Sequence, residues 1–225
     1  MNLTTLLVEV SFKARRVCLT VIALTLVACG HTPVTRTLSD AFVGPSSISG
    51  LSLNPALRYL RVVANGREAL LVLGYSEPSV NGTLDTWYSS QGEVLQLQDG
   101  RILSTIGLQR DWRAVHYLGL PNWSEVIAQH PLSFTRYIDV MPGYQFGVKE
   151  HLLIQAIPTP YDARLLNIAP SSLVWFEETQ VSDEGTQPTA RYGLKIVGST
   201  YSVVYGEQCL SPTFCIAWQS WPVSP

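Results

Sequence analysis

Charge is scarce in this chain. Only 14% of its 225 residues are Asp, Glu, Lys or Arg, and the 17 acidic ones outnumber the 15 basic ones. A nucleic-acid surface needs clustered basic side chains to neutralise phosphates, so nucleic acid is excluded as a partner. Long apolar runs are missing too. The run Val17 to Leu26 is about a dozen residues at most, against the roughly 20 of a membrane-spanning helix, and no run long enough to span a bilayer follows it. Gly-x-Ser-x-Gly, His-Glu-x-x-His, a phosphate loop and a dinucleotide fingerprint are all absent. The four histidines, His31, His116, His130 and His151, lack the spacing of metal ligands. The sequence therefore offers no catalytic residue, cofactor or metal site, and the reading is of a protein that is not an enzyme.

What is present begins with an address. Lys13, Arg15 and Arg16 precede the apolar run, and small Ala28 stands directly before Cys29. Basic, apolar, small is the order of a secretory signal peptide. Leu26-Val27-Ala28-Cys29 also resembles a bacterial lipobox, in which the cysteine is lipidated (palmitate and related acyl chains) and becomes the mature N-terminus. The plainer alternative is an ordinary signal in which Cys29 is incidental. Two or more acyl chains anchor a protein stably, and Gly30 in place of Asp points to the outer membrane, facing the periplasm. Three basic residues and one acidic residue (Glu9) leave with the leader, so the remainder carries about −4.

The expected layout is residues 1–28 as signal peptide, 29–48 as tether, and 49–225 as one β-rich domain. The tether is rich in Thr, Ser, Pro and Gly and would span roughly 20 to 25 Å as a flexible chain. Cys18 leaves with the signal and Cys29 is assigned to lipid, which leaves Cys209 and Cys215 to pair around the turn-forming Ser211-Pro212. Closing so short a loop gains only about a couple of kcal/mol, a local clamp.

From Ala56 onward the pattern is strand, turn, strand. Leu57 to Ala64 and Arg67 to Tyr75 flank Asn65-Gly66, a strong hairpin cue. Leu70-Leu71-Val72-Leu73 is apolar without alternation, as in a strand covered on both faces. Thr83 to Ser90, Glu93 to Gln98 and Arg101 to Gly107 follow, the last two joined at Asp99-Gly100. Asp111 to Pro131 is the least regular section, with Pro121 to Ala128 consistent with a turn and one short helix. Leu132 to Val140 alternates, with Arg136 an exception on its apolar face, and Tyr144 to Ile157 follows Pro142-Gly143. Leu173 to Val181, Ala190 to Val197, Thr200 to Gly206 and Phe214 to Trp218 complete the strands. The fold class is mainly β: antiparallel curved sheets forming a sandwich or partial barrel, with one or two short helices.

Several of these segments match one family in order. Tyr59-Leu60-Arg61-Val62, Leu70 to Tyr75, Trp87-Tyr88-Ser89-Ser90 and Asp99 to Leu103 resemble the YjbF/GfcB family of group 4 capsule and exopolysaccharide lipoproteins, with weaker echoes at Trp175 to Glu178. The Cys209/Cys215 pair is not part of that likeness. The resemblance implies an outer-membrane lipoprotein, held to the membrane by its lipid anchor. It would work beside an outer-membrane β-barrel and periplasmic polysaccharide-secretion proteins, with polysaccharide itself a possible contact.

Three functions compete. The leading one is a non-enzymatic accessory factor in capsule or exopolysaccharide secretion or assembly. The second is a periplasmic carrier that shelters a glycan or acyl ligand in a partial barrel, and the third is a polysaccharide-modifying hydrolase. The hydrolase would need two facing carboxylates. The acidic pairs Glu177-Glu178 and Asp183-Glu184 read instead as solvated strand-end or turn charges, since neighbours on a strand point to opposite faces. The aromatics either line a sugar-stacking groove or belong to core and interface, the favoured reading. Trp87, Tyr88 and Trp221 are the candidate glycan or partner contacts, and Trp221, beyond the last expected strand, is the one most expected at the surface.

Overall fold

The structure is a computed structural model that describes Ile48, residues 52–182 and residues 185–222. The leader, Cys29 and most of the expected tether lie outside the described residues, as do Asp183 and Glu184.

Twelve strands form one antiparallel sheet: β1 (Tyr59–Ala64), β2 (Arg67–Ser79), β3 (Gly82–Tyr88), β4 (Val94–Gln98), β5 (Arg101–Ile106), β6 (Asp111–Leu118), β7 (Leu132–Met141), β8 (Gln145–Ile157), β9 (Val174–Ser182), β10 (Gly185–Val197), β11 (Thr200–Ser211) and β12 (Phe214–Trp221). The order is β5-β4-β3-β2-β1-β12-β11-β10-β9-β8-β7-β6. The first and last strands among the described residues therefore meet in the middle, with Tyr59 opposite Trp221 and Ala64 opposite Ile216. The two edges, β5 and β6, are consecutive in sequence, and the sheet curls until they lie side by side as a nearly closed barrel.

Side chains stitch that seam. The Trp112 amide donates to Thr105 Oγ1 at 2.9 Å, and the Tyr117 hydroxyl donates to the Ile102 carbonyl at 3.0 Å. The Asp111 carboxylate accepts from the amides of Gly107 and Leu108, each at 3.0 Å. An open edge is a template for unwanted pairing; here the polar groups of two edges are turned on each other.

Alternation along the strands sorts side chains between two apolar layers. Leu60, Val62, Leu71, Leu95, Ile154, Leu194 and Ile216 pack inside the barrel. The segment between β8 and β9 forms a strap over the outer surface, where Ala163, Leu165 and Ile168 pack on Trp175, Tyr205 and Ala217. Beside it Ile48, Tyr59 and Trp221 gather Leu53, Leu70, Val72 and Leu166. Leu71 thus faces in while Leu70 and Val72 face a second covered surface, which accounts for the unbroken apolar run in β2.

A six-residue helix, α1 (Trp123–Ala128), sits between β6 and β7. Asn122 Oδ1 accepts the Glu125 amide at 2.9 Å and the Glu125 carboxylate accepts the Asn122 amide at 2.9 Å, a capping box. So short a helix has little stability of its own. It is held by Trp123 and Val126, both fully buried, and by the Trp123 indole N–H, which donates to the Asp99 carbonyl at 2.9 Å. No helix among the described residues is long and apolar enough to cross a membrane.

Candidate functional site

The barrel interior is charged at its centre. Arg101 on β5, Arg136 on β7 and Glu178 on β9 are each no more than 1% exposed. Arg101 Nε donates to Glu178 Oε1 at 3.1 Å, and Arg136 Nη1 lies 3.8 Å from Glu178 Oε2. Arg136 also donates from Nε to Glu150 Oε2 at 2.8 Å and from Nη1 to Gln208 Oε1 at 3.1 Å. Aromatic faces complete the shell: the Arg101 guanidinium lies 3.8 Å from the Trp123 ring centroid and that of Arg136 lies 4.5 Å from Trp112. Such cation–π contacts gain strength where water is excluded.

Burial opposes the charge on Arg136, but the Glu150 carboxylate, together with Tyr117 and Glu178, outweighs it and raises the pKa. Burial is also the main cause that pushes the Tyr117 hydroxyl up to about 12 and that of Tyr192 well above its ordinary value. Both carboxylates are paired with guanidinium groups, Glu178 sealed from solvent and Glu150 partly exposed.

The reading of Glu177-Glu178 as solvated charges is corrected for Glu178, which is fully buried between two arginines. Adjacent Glu177 is half-buried, and burial raises its pKa against the lowering effect of Arg191. The Arg136 exception was the readable signal for this interior, since an inward register position was occupied by a cation. Arg101 and Glu178 carried no such mark, because their partner strands lie far apart in sequence.

The three aromatic candidates part company. Trp87 is 4% exposed and belongs to the inner core, with Arg58 5.9 Å above its ring. Trp221 is 8% exposed, which corrects its expected surface position: β12 runs on past Trp218, pairs Trp221 with Tyr59 and buries it in the outer cluster. Tyr88 alone of the three reaches solvent, at 41%, its ring lying across Gly74, where a Cβ would come within 2.4 Å of it.

Cys209 and Cys215 stand directly opposite each other on β11 and β12 and form a disulfide. Among the described residues no group of His, Cys, Asp and Glu side chains is arranged to hold a metal ion. A sheltered acyl or glycan ligand needs a cavity, but Trp123, Tyr192, Phe176 and the two arginines fill the barrel centre. A void lined by Val62, Leu71, Leu95 and Ile216 has about 20 Å³, room for about one water molecule.

No curated protein matches this chain. Among solved structures, a crystal structure of the hypothetical lipoprotein YmcC from Escherichia coli (K12) superposes with a TM-score of 0.55 at 18% identity, covering 75% of this chain and 85% of that one. At that identity the likeness is one of fold, and it agrees with the curled sheet described above. The family model described as group 4 capsule polysaccharide lipoprotein gfcB, YjbF matches residues 47–214, a span that takes in all of β1 to β11, α1, the strap and every member of the buried ionic cluster. With most of the sequence inside that match, the chain belongs to the YjbF family.

Proposed function

We propose that this chain is an envelope lipoprotein that serves capsule or exopolysaccharide secretion as a non-enzymatic accessory factor. In this reading residues 1–28 are removed, Cys29 is lipidated at the outer membrane, 29–48 form the tether, and 49–225 form one domain facing the periplasm. The observation that carries it is the family match over residues 47–214, whose description names a capsule polysaccharide lipoprotein. The lipobox-like Leu26-Val27-Ala28-Cys29 supports the anchor, and the Cys209–Cys215 disulfide suits an oxidising compartment. The non-enzymatic part draws support from the interior carboxylates, Glu178 and Glu150, both paired with arginine rather than facing each other across a cleft. Partners in this reading are an outer-membrane β-barrel and periplasmic secretion proteins.

The test is a Cys29→Ala strain followed for metabolic labelling with palmitate, fractionation and polymer output. Loss of label, release from the membrane and reduced secreted polymer are expected. Normal polymer output from unanchored protein would defeat the proposal.

A further inference from the structure

Outside the barrel, where the strap crosses the ends of β10, β11 and β12, lies a groove of about 600 Å³. That is within the roughly 300–1,000 Å³ of small-molecule sites. Its apolar floor is Ile168, Leu173 and Val204, which belong to the outer cluster. Its polar lining residues are Asn167, Ser172, Lys195, Ser202 and Ser220, of which Ser172 already donates its hydroxyl to the Ala169 carbonyl at 2.7 Å.

The wall is fixed before any ligand arrives. Leu166, next to Asn167, donates its amide to Gln219 Oε1 at 2.9 Å and accepts Gln219 Nε2 on its carbonyl at 2.7 Å. The short turn Pro170–Ser172, which brings Ser172 into the lining, is held by the Trp175 indole N–H, which donates to the Pro170 carbonyl at 2.8 Å. A preformed wall spares a ligand the cost of ordering it.

Charge decides what fits. Lys195 stands directly opposite Ser202 in the β10–β11 ladder, so ammonium and hydroxyl rise from neighbouring positions on the outer face. Lys195 forms no ion pair among the described residues, and no acidic side chain is among the described lining. An apolar floor suits the C–H face of a pyranose, and hydroxyl and amide groups suit its hydroxyls. The unpaired ammonium selects for an anion. No aromatic ring is among the described lining, so recognition here runs through charge and hydrogen bonds instead of ring stacking.

We propose that this groove binds an acidic sugar, a hexose bearing a carboxylate, with Lys195 holding the carboxylate and Ser202 and Ser220 the ring hydroxyls. The source of such a sugar rests on the secretion reading above, but the site itself does not. The test is titration calorimetry on the full-length chain in detergent, using glucuronate and a tetrasaccharide of alternating glucuronate and N-acetylglucosamine, with neutral N-acetylglucosamine tetrasaccharide, inorganic phosphate and phosphatidylglycerol vesicles as comparisons. A charge-assisted contact makes the acidic tetrasaccharide bind about tenfold or more tightly than the neutral one. Lys195→Glu removes that preference, Lys195→Arg keeps most of it, and Lys149→Glu, on β8 outside the groove, leaves it unchanged.

Four results overturn the proposal: no Lys195-dependent binding of either acidic sugar, equal binding of the neutral tetrasaccharide, equal weakening by Lys149→Glu, or displacement by phosphate or vesicles at comparable concentration. Absent sugar binding alongside lost polymer output in the Cys29→Ala strain removes the groove and leaves the accessory role standing. Intact sugar binding with normal polymer output does the reverse.

Discussion

Glu178 and Arg101 meet across the barrel, from β9 and β5, with Oε1 3.1 Å from Nε and neither side chain more than 1% exposed. Nothing local brings them together, because 77 residues separate them in sequence. Their contact exists only once the sheet has curled, so it reports on closure.

Glu178→Gln therefore leaves buried Arg101 without its ion-pair partner, with only the more distant charge of Asp99 remaining, while Arg136 keeps Glu150. Losing one partner of a buried pair costs about 3–5 kcal/mol. Urea denaturation followed by tryptophan fluorescence measures it, and a loss below about 1 kcal/mol would show that the pair is not holding the barrel. The double variant Arg101→Met, Glu178→Leu should recover most of the stability, since apolar replacement of a buried pair is often neutral or better.

A second prediction concerns space. An added Cβ on Gly206 would come within 2.2 Å of the Trp218 ring, itself 3% exposed in the inner core. Gly206→Ala must push that indole aside, at about 1–3 kcal/mol, and should alter the near-ultraviolet circular dichroism. At Gly66, with φ +75° and open space around it, the same substitution meets only backbone strain, about 1–2 kcal/mol, and should leave the spectrum alone. Matching spectral changes in both variants would refute the packing argument.

Turn chemistry explains why so much of the fold could be read in advance. Asn65-Gly66 and Asp99-Gly100 each sit at positive φ between the strands expected there, because two-residue hairpins require that conformation and these residues tolerate it. Asn122 and Glu125 likewise carry a local helix-start signal that the capping box fulfils. Section 111–118 was unreadable as β6 because its alternation slips at Ala114-Val115, beside a register shift between Trp112 and Ala114, so that Trp112 and Val115, three apart, are both buried; the strand is placed by its pairing with β7. Burial of Trp221 and Glu178 was hidden for the same reason. Each depends on a partner from a distant strand or on the strap, and strand periodicity cannot tell a face covered by such a segment from one open to water.

Alkali should destabilise the protein through Tyr117, which packs partly buried against the inner core. Tyr117 has its pKa raised from the ordinary 10 to about 12, chiefly by burial. Below pH 10 the folded and unfolded chains both keep the proton; between 10 and 12 the unfolded chain sheds it while the folded one holds it, so rising pH favours unfolding. Two units correspond to up to about 2.7 kcal/mol lost across that window. Urea midpoints at pH 8, 10 and 11 should fall, and Tyr117→Phe should flatten the decline. An unchanged slope in that variant would remove Tyr117 as a cause.

The disulfide should prove a modest clamp. Cys209 and Cys215 are six positions apart and already opposed by the β11–β12 ladder, so the loop they close is short and contributes about 2 kcal/mol. A Cys209→Ser, Cys215→Ser double variant is expected to keep its far-ultraviolet spectrum and to lose about that much in urea. Failure to fold would show that the bridge is needed to form the hairpin and not merely to tighten it.

Gln219 fastens the strap, and that function can be isolated. Its side chain is fully buried and serves both backbone groups of Leu166, accepting from the amide at 2.9 Å and donating to the carbonyl at 2.7 Å. Gln219→Leu keeps the bulk but leaves a buried amide and carbonyl unpaired, at about 1–3 kcal/mol for each group that water cannot reach. The Arg61 guanidinium still donates to the Arg164 carbonyl at 2.7 Å and Tyr205 still accepts the Arg164 amide at 3.1 Å, so the strap should loosen without detaching. Limited trypsin digestion reads this directly, because Arg164 lies within the strap. Faster cleavage there, with the remaining sites unaffected, is the expected pattern. Equal acceleration at every site would mean that the substitution had weakened the barrel as a whole and that the strap has no separate hold.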